Sequence, residues 1–530
     1  MVHQQALTEP QGTSADRRFS NVDPWLVLAL FLAAAFRLEN ITQPLIDAFS
    51  WREASTAMMA DNFQNRSWNI FYPEVSWTGP GPSYQGREFQ ITSYLAALLF
   101  QLFGWHDWFG RAISVGFGIT TTLFCYLVVR RCWGTNEGRV AALVLAFLPG
   151  ATFIDRSFLP DPSMLAFVTA GFWLFLRYVD SNRWRWLAGS CICLALGVLA
   201  KMPGIAIGVP VLYVLVAKMA SSGPLTRGRL MVTVLAGTAA VLVVGLYYAW
   251  AIYLARSYPP YHMAGSGYIW SDGLDSFVAQ GFFAPALLET IRDWYVTLPV
   301  LILALCGLLL SPSRPKDKSA ITLRWALHYW LAGAALVYLV AAREIVNNPW
   351  NLHIFSVPVA AFVARGLIVL TGQGEQSLTR MGWTRLVAVC AVLIVLGNRP
   401  STTYLSTPYA ATGYALGTRL ESLTVPDDLV VAISSTVGDP VAIYYSRRRG
   451  WVFPPGGGDN DWSVFISDDD AVRVLGDLRA DGATWFGVAR NARDSRGRRF
   501  FEHHKTLVEH LETTATQKFE DDAYVIYRLS

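Results

Sequence analysis

The sequence predicts a polytopic α-helical membrane protein of about eleven transmembrane helices, followed by a C-terminal soluble α/β domain. Three observations predict it. Of 530 residues, 53% are hydrophobic and only 15% charged, whereas a soluble protein carries about 25% charged residues. The apolar residues gather in runs of roughly 17 to 25, the length that crosses a bilayer as helix. From about residue 400 those runs give way to turn residues, charges and short β-branched stretches.

Residues 1–23 are polar, lack the charged, apolar and small-residue pattern of a cleaved signal, and read as a cytoplasmic tail. The first span begins near Trp25 and is expected to stay as an anchor. Spans then fall near 24–38, 109–129, 138–154, 163–178, 186–200, 203–218, 229–253, 291–311, 324–341, 351–370 and 384–398. Residues 39–108 are too long for a connector. Within them Ala54, Ala57, Met58, Met59 and Phe63 have helical spacing over 51–65, which predicts a helix lying on the membrane surface. Gly79-Pro80-Gly81-Pro82 forces a turn, and a second apolar helix is expected at about 88–103. In the domain from 400 to 530, Leu429–Ser434, Ala483–Ala489 and Ala523–Leu529 read as strands, and 440–446, 469–479 and 500–513 as helices. Gly456-Gly457-Gly458 lacks the Lys-Ser/Thr of a phosphate loop and reads as a flexible loop. Arg447-Arg448-Arg449-Gly450-Trp451 reads as a solvated turn.

Basic residues alternate in sidedness. Arg17-Arg18, Arg130-Arg131, Arg183 with Arg185, Lys218 with Arg227, the Arg314-Lys316-Lys318 cluster and Arg380 with Arg385 all land in one compartment. That is the positive-inside pattern, and it places the N-terminus in the cytoplasm. The Asp47 loop, Asp161, Lys201, the 254–290 and 342–350 loops and everything after 399 then face outward. Lys201-Met202-Pro203-Gly204 stops a helix between two shortish spans. Reading 186–218 as one helix would flip every later loop, and the basic cluster at 314–318 argues against it.

The formal charge of +4 is spread along the chain, which excludes the basic footprint of a nucleic-acid binder. Six cysteines, none with zinc-finger spacing, lie in spans or in loops placed in the cytoplasm, so the outward parts hold no disulfide framework.

The chemistry concentrates at the outer membrane boundary. Asp47 follows the first span in Asp47-Ala48-Phe49-Ser50-Trp51-Arg52-Glu53, and Asp161 follows the third in Arg156-Ser157-Phe158-Leu159-Pro160-Asp161-Pro162. Carboxylates there are costly to desolvate and need partners or a task. The order of features resembles the GT-C class of polytopic lipid-phosphate-sugar glycosyltransferases, which includes protein O-mannosyltransferases and the lipid A aminoarabinose transferases. Those features are a short tail, one span, a large outer loop with an early Asp and Arg, an acid opening the second loop helix, and an outer Asp-Pro after the third span. The resemblance covers about residues 24–400. It implies a GT-C fold, a polyprenyl-phosphate-linked sugar donor, an envelope lipid, glycan or protein acceptor, and inverting attack at the anomeric carbon. In a bacterium the enzyme would sit in the inner membrane, in contact with its lipids.

Carried over residue by residue, Asp47 matches the early loop acid, and Trp51-Arg52 stand beside it as an aromatic or polar residue and an Arg. Glu88 matches the acid of a Glu-Lys-Pro-Pro-like segment, Arg156 and Asp161 match the second outer motif, and Lys201 matches a Lys after the fifth span. Phe89 stands where the aminoarabinose transferases have Lys, and Gln90-Ile91 replace Pro-Pro. A donor-binding cation is therefore missing, and Arg87, Arg52 or Arg256 are the candidates to replace it.

A sugar hydroxyl is a poor nucleophile, so transfer needs a carboxylate to accept its proton, and the departing phosphate needs fixed cations. Asp47 is the expected base, with Glu88 or Asp161 organising the acceptor or a metal. Arg52, Arg156, Lys201, Arg256 and Arg343 are the donor-phosphate candidates. Trp51, Tyr84, His262 and His353 are the substrate-binding candidates, and Glu88 with His262 could take a divalent metal ion; no cofactor is required by the sequence. Each has a plainer reading. Asp161 and Glu88 suit helix starts, Lys201 can snorkel, Arg256 and Arg343 can anchor at the interface, and aromatics concentrate there in any case. The rival classes are a lipid-linked-sugar flippase, which tends to carry ionisable residues at the midplane, and a non-catalytic receptor binding through the tail domain.

Overall fold

The computed structural model describes residues 23–222, 227–263, 268–269, 289, 291–310, 323–371, 380–435, 438–455, 466–493 and 497–530. Arg17-Arg18, the Arg314-Lys316-Lys318 cluster, most of the 254–290 loop and Gly456-Gly457-Gly458 lie outside the described residues.

Helix α1 (Pro24–Arg37) opens with Asp23 accepting the Trp25 amide at 3.1 Å and with proline at its first position, where the missing N–H costs nothing. After the outer-loop helices α2 (Ser50–Asn65) and α3 (Ile91–Phe103) come α4 (Trp108–Cys132), α5 (Thr135–Phe147), α6 (Pro149–Arg156), α7 (Asp161–Ser181), α8 (Trp184–Ala200), α9 (Gly208–Ser222) and α10 (Arg227–Ser257). Farther on lie α11 (Leu298–Leu309), α12 (Ala326–Val340), α13 (Ser356–Leu370) and α14 (Arg380–Ser406). Every predicted apolar run carries a helix, but among the described residues only five helices are long and apolar enough to cross a membrane. The count rises to six if α5 and α6 form one span, bent by 62°. Pro149 explains that bend, because it removes a backbone donor and its ring crowds the preceding turn.

Each end of the bundle carries ion pairs. At one end Arg139 meets Asp23 at 2.7 Å and Arg131 meets Asp180 at 2.6 Å. The opposite end collects the end of α1, the start of α4, the end of α6 and the start of α7, and with them Asp47, Arg111, Arg156 and Asp161. Asp47 and Asp161 therefore lie at one end of the bundle.

Helix α2 corrects an expectation. It does not lie on a membrane surface: Arg52 to Ala60, Asn62 and Phe63 are all buried. One side packs on α3 and another receives the C-terminal domain, so its mixed composition reflects enclosure by protein on several sides.

That domain is α/β, with strands β1 (Leu429–Ile433), β2 (Arg449–Val452), β3 (Ala483–Ala489), β4 (Gln517–Glu520) and β5 (Tyr524–Arg528) in the order β2-β1-β3-β5-β4. The β2, β1 and β3 pairings are parallel and the remainder antiparallel. Helices α15 (Ala411–Leu423), α16 (Val441–Ser446), α17 (Asp468–Ala480) and α18 (Lys505–Thr514) pack around it. The arginine triplet is not a solvated turn. Arg447 takes the left-handed conformation at φ 53°, and Arg449 begins the edge strand. The outer loop covers that edge: the Gly450 amide donates to Ser76 O at 3.0 Å, the Val452 amide to Trp77 O at 3.2 Å, and the Gly79 amide to Gly450 O at 2.7 Å. A strand edge with free backbone groups invites such pairing.

Candidate active site

Two groups of charged side chains sit at this second end of the bundle, and α2 divides them. Arg52 turns to one and its neighbour Glu53 to the other.

The first group is closed. Arg111, at the start of α4, donates to Asp47 Oδ2 at 2.8 Å and to both Glu53 oxygens at 2.9 and 2.8 Å. Arg156 donates to Asp47 Oδ2 at 2.7 Å and to the carbonyls of Glu39 and Asn40. The Phe49 amide donates to Asp47 Oδ1 and the Phe158 amide to Glu53 Oε1. All four side chains are fully buried. Burial and the adjacent Glu53 carboxylate push Asp47 up to about 6. Glu53 is brought down to about 2, its burial overcome by Arg111 and then Arg156. Behind this group Arg37 holds Asp155 at 2.8 Å, and His353 completes the cluster at 2.9 Å.

The second group is partly open. Arg52 Nη2 reaches both Glu88 oxygens at 3.0 Å, Lys201 Nζ donates to Asp161 Oδ2 at 2.8 Å, and Arg87 pairs with Glu344 at 3.4 Å. The Phe89 amide donates to Leu199 O at 2.9 Å, which ties the Glu88 segment to the end of α8 just before Lys201. Gly86 allows the approach, since a Cβ there would collide with the Ala251 carbonyl of α10. Arg87, Glu88, Lys201, Met202, Pro203, Tyr248, Tyr268, Glu344 and Asn351 line a cavity of about 30 Å³. That volume holds a water or two, so a sugar must widen it. Burial works against the Glu88 charge, but Arg52, then Arg87 and Lys201, hold its carboxyl below the usual range.

Hydrogen bonding separates the groups. Among the described residues the closed group has every polar side-chain atom matched. Around the open group Arg52 Nη1, Asp161 Oδ1, Asn351 Nδ2 and His262 Nδ1 are buried without a partner. Buried polar atoms are nearly always paired, so these unpaired atoms, Asn351 Nδ2 in the cavity wall and the others on residues around the same charges, mark a place for a polar ligand.

The structure redistributes the expected site residues. It brings Glu88, Asp161, Arg52 and Lys201 together. Asp47 and Arg156 are hydrogen-bonded to one another, and their remaining polar atoms are engaged by Arg111, the Phe49 amide and the carbonyls of Glu39 and Asn40. His353 is likewise buried against Asp155 and Ser356. Arg256 is exposed at the end of α10, and the Arg343 side chain lies outside the described residues. The Trp51 indole donates to Gly438 O of the C-terminal domain at 3.2 Å, a docking contact. Tyr84 stands apart from the charges, edge-on to Tyr72 and Tyr258. His262, kept neutral by burial and by Arg87 and Arg52, is the one imidazole near Glu88, but the described residues hold no group of three metal-ligating side chains. Glu53, Arg111, Glu344 and Asn351 went unnoticed in the sequence. Arg111 carried a usable signal, a guanidinium at the head of an apolar run.

The fold is that of the GT-C glycosyltransferases, as the resemblance drawn from the sequence implied. Residues 90–250 match the family of dolichyl-phosphate-mannose-protein mannosyltransferases. The chain superimposes on ArnT from Cupriavidus metallidurans, solved bound to undecaprenyl phosphate, with TM-score 0.61 and 11% identity, covering 95% of this chain and 98% of that one. The Archaeoglobus fulgidus oligosaccharyltransferase, solved with Zn and sulfate, gives TM-score 0.56 at 14% identity over 88% of this chain and 68% of that one. In sequence the chain is similar to YkcB of Bacillus subtilis, provisionally named a mannosyltransferase, at 24% identity over 35% of this chain and 25% of YkcB. A second Bacillus subtilis protein, YycA, provisionally named in the same way, is 25% identical over 43% of this chain and 32% of its own length. The chain thus spans about a quarter to a third of the length of these curated relatives.

Proposed function

We propose that the protein is a membrane glycosyltransferase that moves one sugar from a polyprenyl-phosphate donor to a cell-envelope acceptor at the extracytoplasmic face, with inversion. The observation that carries this is the partly open group of charges at the end of a GT-C bundle, where a lipid tail stays in the bilayer while its phosphate meets Arg52, Arg87 and Lys201. We assign Asp161 as the base, since its Oδ1 is buried without a partner among the described residues. As the acceptor hydroxyl attacks the anomeric carbon, the C–O bond to phosphate breaks, the proton passes to Asp161, and polyprenyl phosphate leaves against the three cations. Such preorganised charges act strongly where water is excluded. Glu88 holds Arg52 in place, and Asp47 positions α2. The neighbours solved with undecaprenyl phosphate and with Zn and sulfate support a phosphate-bearing donor.

The test is to incubate purified protein with a panel of polyprenyl-phosphate sugars and measure released polyprenyl phosphate. Release by wild type and its loss in folded Asp161→Asn are expected. Transport of the intact lipid-linked sugar without release would establish the flippase instead.

A further inference from the structure

Outside the charged group, the outer loop carries a second cavity of about 240 Å³, lined by Asn62, Phe63, Ser67, Asn69, Tyr72, Glu74 and Tyr84. Its size is just under the ~300–1,000 Å³ of sites for drug-sized ligands, which suits one small ring. The walls are built rather than incidental. Glu74 and Tyr84 face each other across an antiparallel bridge, and the Gln85 amide donates to Pro73 O at 2.9 Å. Tyr72 is braced edge-on by Trp250 at 5.2 Å and Tyr84 by Tyr258 at 5.0 Å. Asn62 is fixed from below through Glu74 O and Ser76 Oγ. Glu74 is held between Arg66 at 2.9 Å and Arg449 of β2 at 2.6 Å.

The two tyrosine rings supply faces for C–H groups. Both are partly exposed, and their hydroxyls form no hydrogen bond within the described residues, so each can donate and accept. The Asn69 Nδ2 and Ser67 hydroxyl protons are similarly unused. Glu74, with two lone pairs on each oxygen, can accept from a ligand hydroxyl while keeping its arginines. Apolar ring faces bordered by neutral donors and one fixed carboxylate match a pyranose, which has an apolar C–H face and a rim of hydroxyls. An interfacial anchor needs none of this rim. Tyr84 is four residues from Glu88, so the cavities lie within ~14 Å along the chain.

We propose that this cavity is a carbohydrate subsite that holds a pyranose unit of the acceptor, making the acceptor a glycan or glycolipid. The assignment to the acceptor rests on the glycosyltransferase reading; the carbohydrate binding itself does not. The probes are methyl α-mannopyranoside, methyl β-glucopyranoside, methyl β-galactopyranoside and N-acetylglucosamine, tested one at a time by saturation-transfer NMR on full-length protein in nanodiscs, with open-chain sorbitol as control. At least one pyranoside, and not sorbitol, should give ring-proton signal. That signal should fall at least fivefold in Tyr84→Ala and Tyr72→Ala, less in Tyr84→Phe, and persist when a polyprenyl-phosphate sugar is added. No signal from any pyranoside, or signal unaffected by both alanine variants, overturns the subsite. Displacement by the donor overturns its assignment to the acceptor. The donor-release assay reads the catalytic proposal separately, so either can fail alone.

Discussion

The closed and open charge groups have the same formal balance and opposite character. In the closed group two arginines face two carboxylates; in the open one Arg52, Arg87 and Lys201 face Glu88, Asp161 and Glu344. Both are neutral, as burial demands. The closed group draws in backbone amides and carbonyls until no polar atom is left over, which makes it a rigid joint between α2, α4 and α6. The open group leaves Asp161 Oδ1 and Arg52 Nη1 unmatched among the described residues, while Arg87, Glu88, Lys201 and Glu344 line a cavity. Charge count and burial do not distinguish a site from a joint here; unused hydrogen-bonding capacity does.

The largest effect should follow from touching the open group. Asp161→Asn is nearly isosteric and removes the assigned base, so transfer per folded protein should fall by about 10²–10⁴-fold, beyond the stability lost by leaving the buried Lys201 without its ion-pair partner. Measuring polyprenyl-phosphate release beside a thermal melt checks both halves. A variant that is active and folded would return the base to Asp47.

Striking the closed group should invert that signature. Arg111→Met strands Asp47 and Glu53 without their shared guanidinium, and breaking a buried pair costs about 3–5 kcal/mol. Denaturant unfolding in detergent should show the loss, with activity falling only in proportion to folded protein. If activity vanished in protein as stable as wild type, the closed group would belong to the site.

How far this division could be read beforehand depends on the kind of residue. Glu88, Asp161 and Lys201 were legible because each ionisable group sits where an apolar run stops, and Arg52 because the resemblance pointed to it. The strands at 429–433 and 483–489 were legible from their β-branched and aromatic content, whereas β2 hid among arginines whose partners, Glu74 and the carbonyls of Gly79 and Gly81, lie about 370 residues earlier. The burial of α2 was invisible for the same reason: its alanines and methionines fit one covered face or several, and only the docked domain decides. Asp47 shows the limit most clearly. Its position in the loop is right for a base, but Arg111, 64 residues away, determines whether its oxygens are free.

A smaller effect separates the two acids of the closed group by pH. Asp47, held at about 6 against ~3.9 when unfolded, binds its proton more tightly in the folded state. Its contribution to stability therefore falls as pH rises from ~4 to about 6. Glu53, at about 2 against ~4.3 unfolded, contributes above ~4.3, and that is lost as pH falls toward 2. Asp439, also pushed to about 6 by burial, acts in the same sense as Asp47, so the informative quantity is a difference. Melting temperatures of wild type and Asp47→Asn should diverge in slope between pH 4 and 6; parallel curves would mean that Asp47 is ionised throughout.

The smallest effect should come from the seam between loop and C-terminal domain, which borders neither charge group. Arg449 pairs with Glu74 and caps the Gly79 and Gly81 carbonyls, fastening the loop to the edge strand. Arg449→Met keeps the length of the stem and removes those bonds, for a loss of about 1.5–3 kcal/mol, typical of hydrogen bonds to a charged group. Backbone pairing of Ser76, Trp77 and Gly79 with β2 remains, so the loop should loosen rather than detach. Hydrogen exchange should then rise at the Gly450 and Val452 amides while the Phe89 amide, bonded to Leu199 O on the membrane side, stays protected. If Phe89 lost protection as well, the domain would be positioning Glu88 directly, and the open group would extend to the sheet.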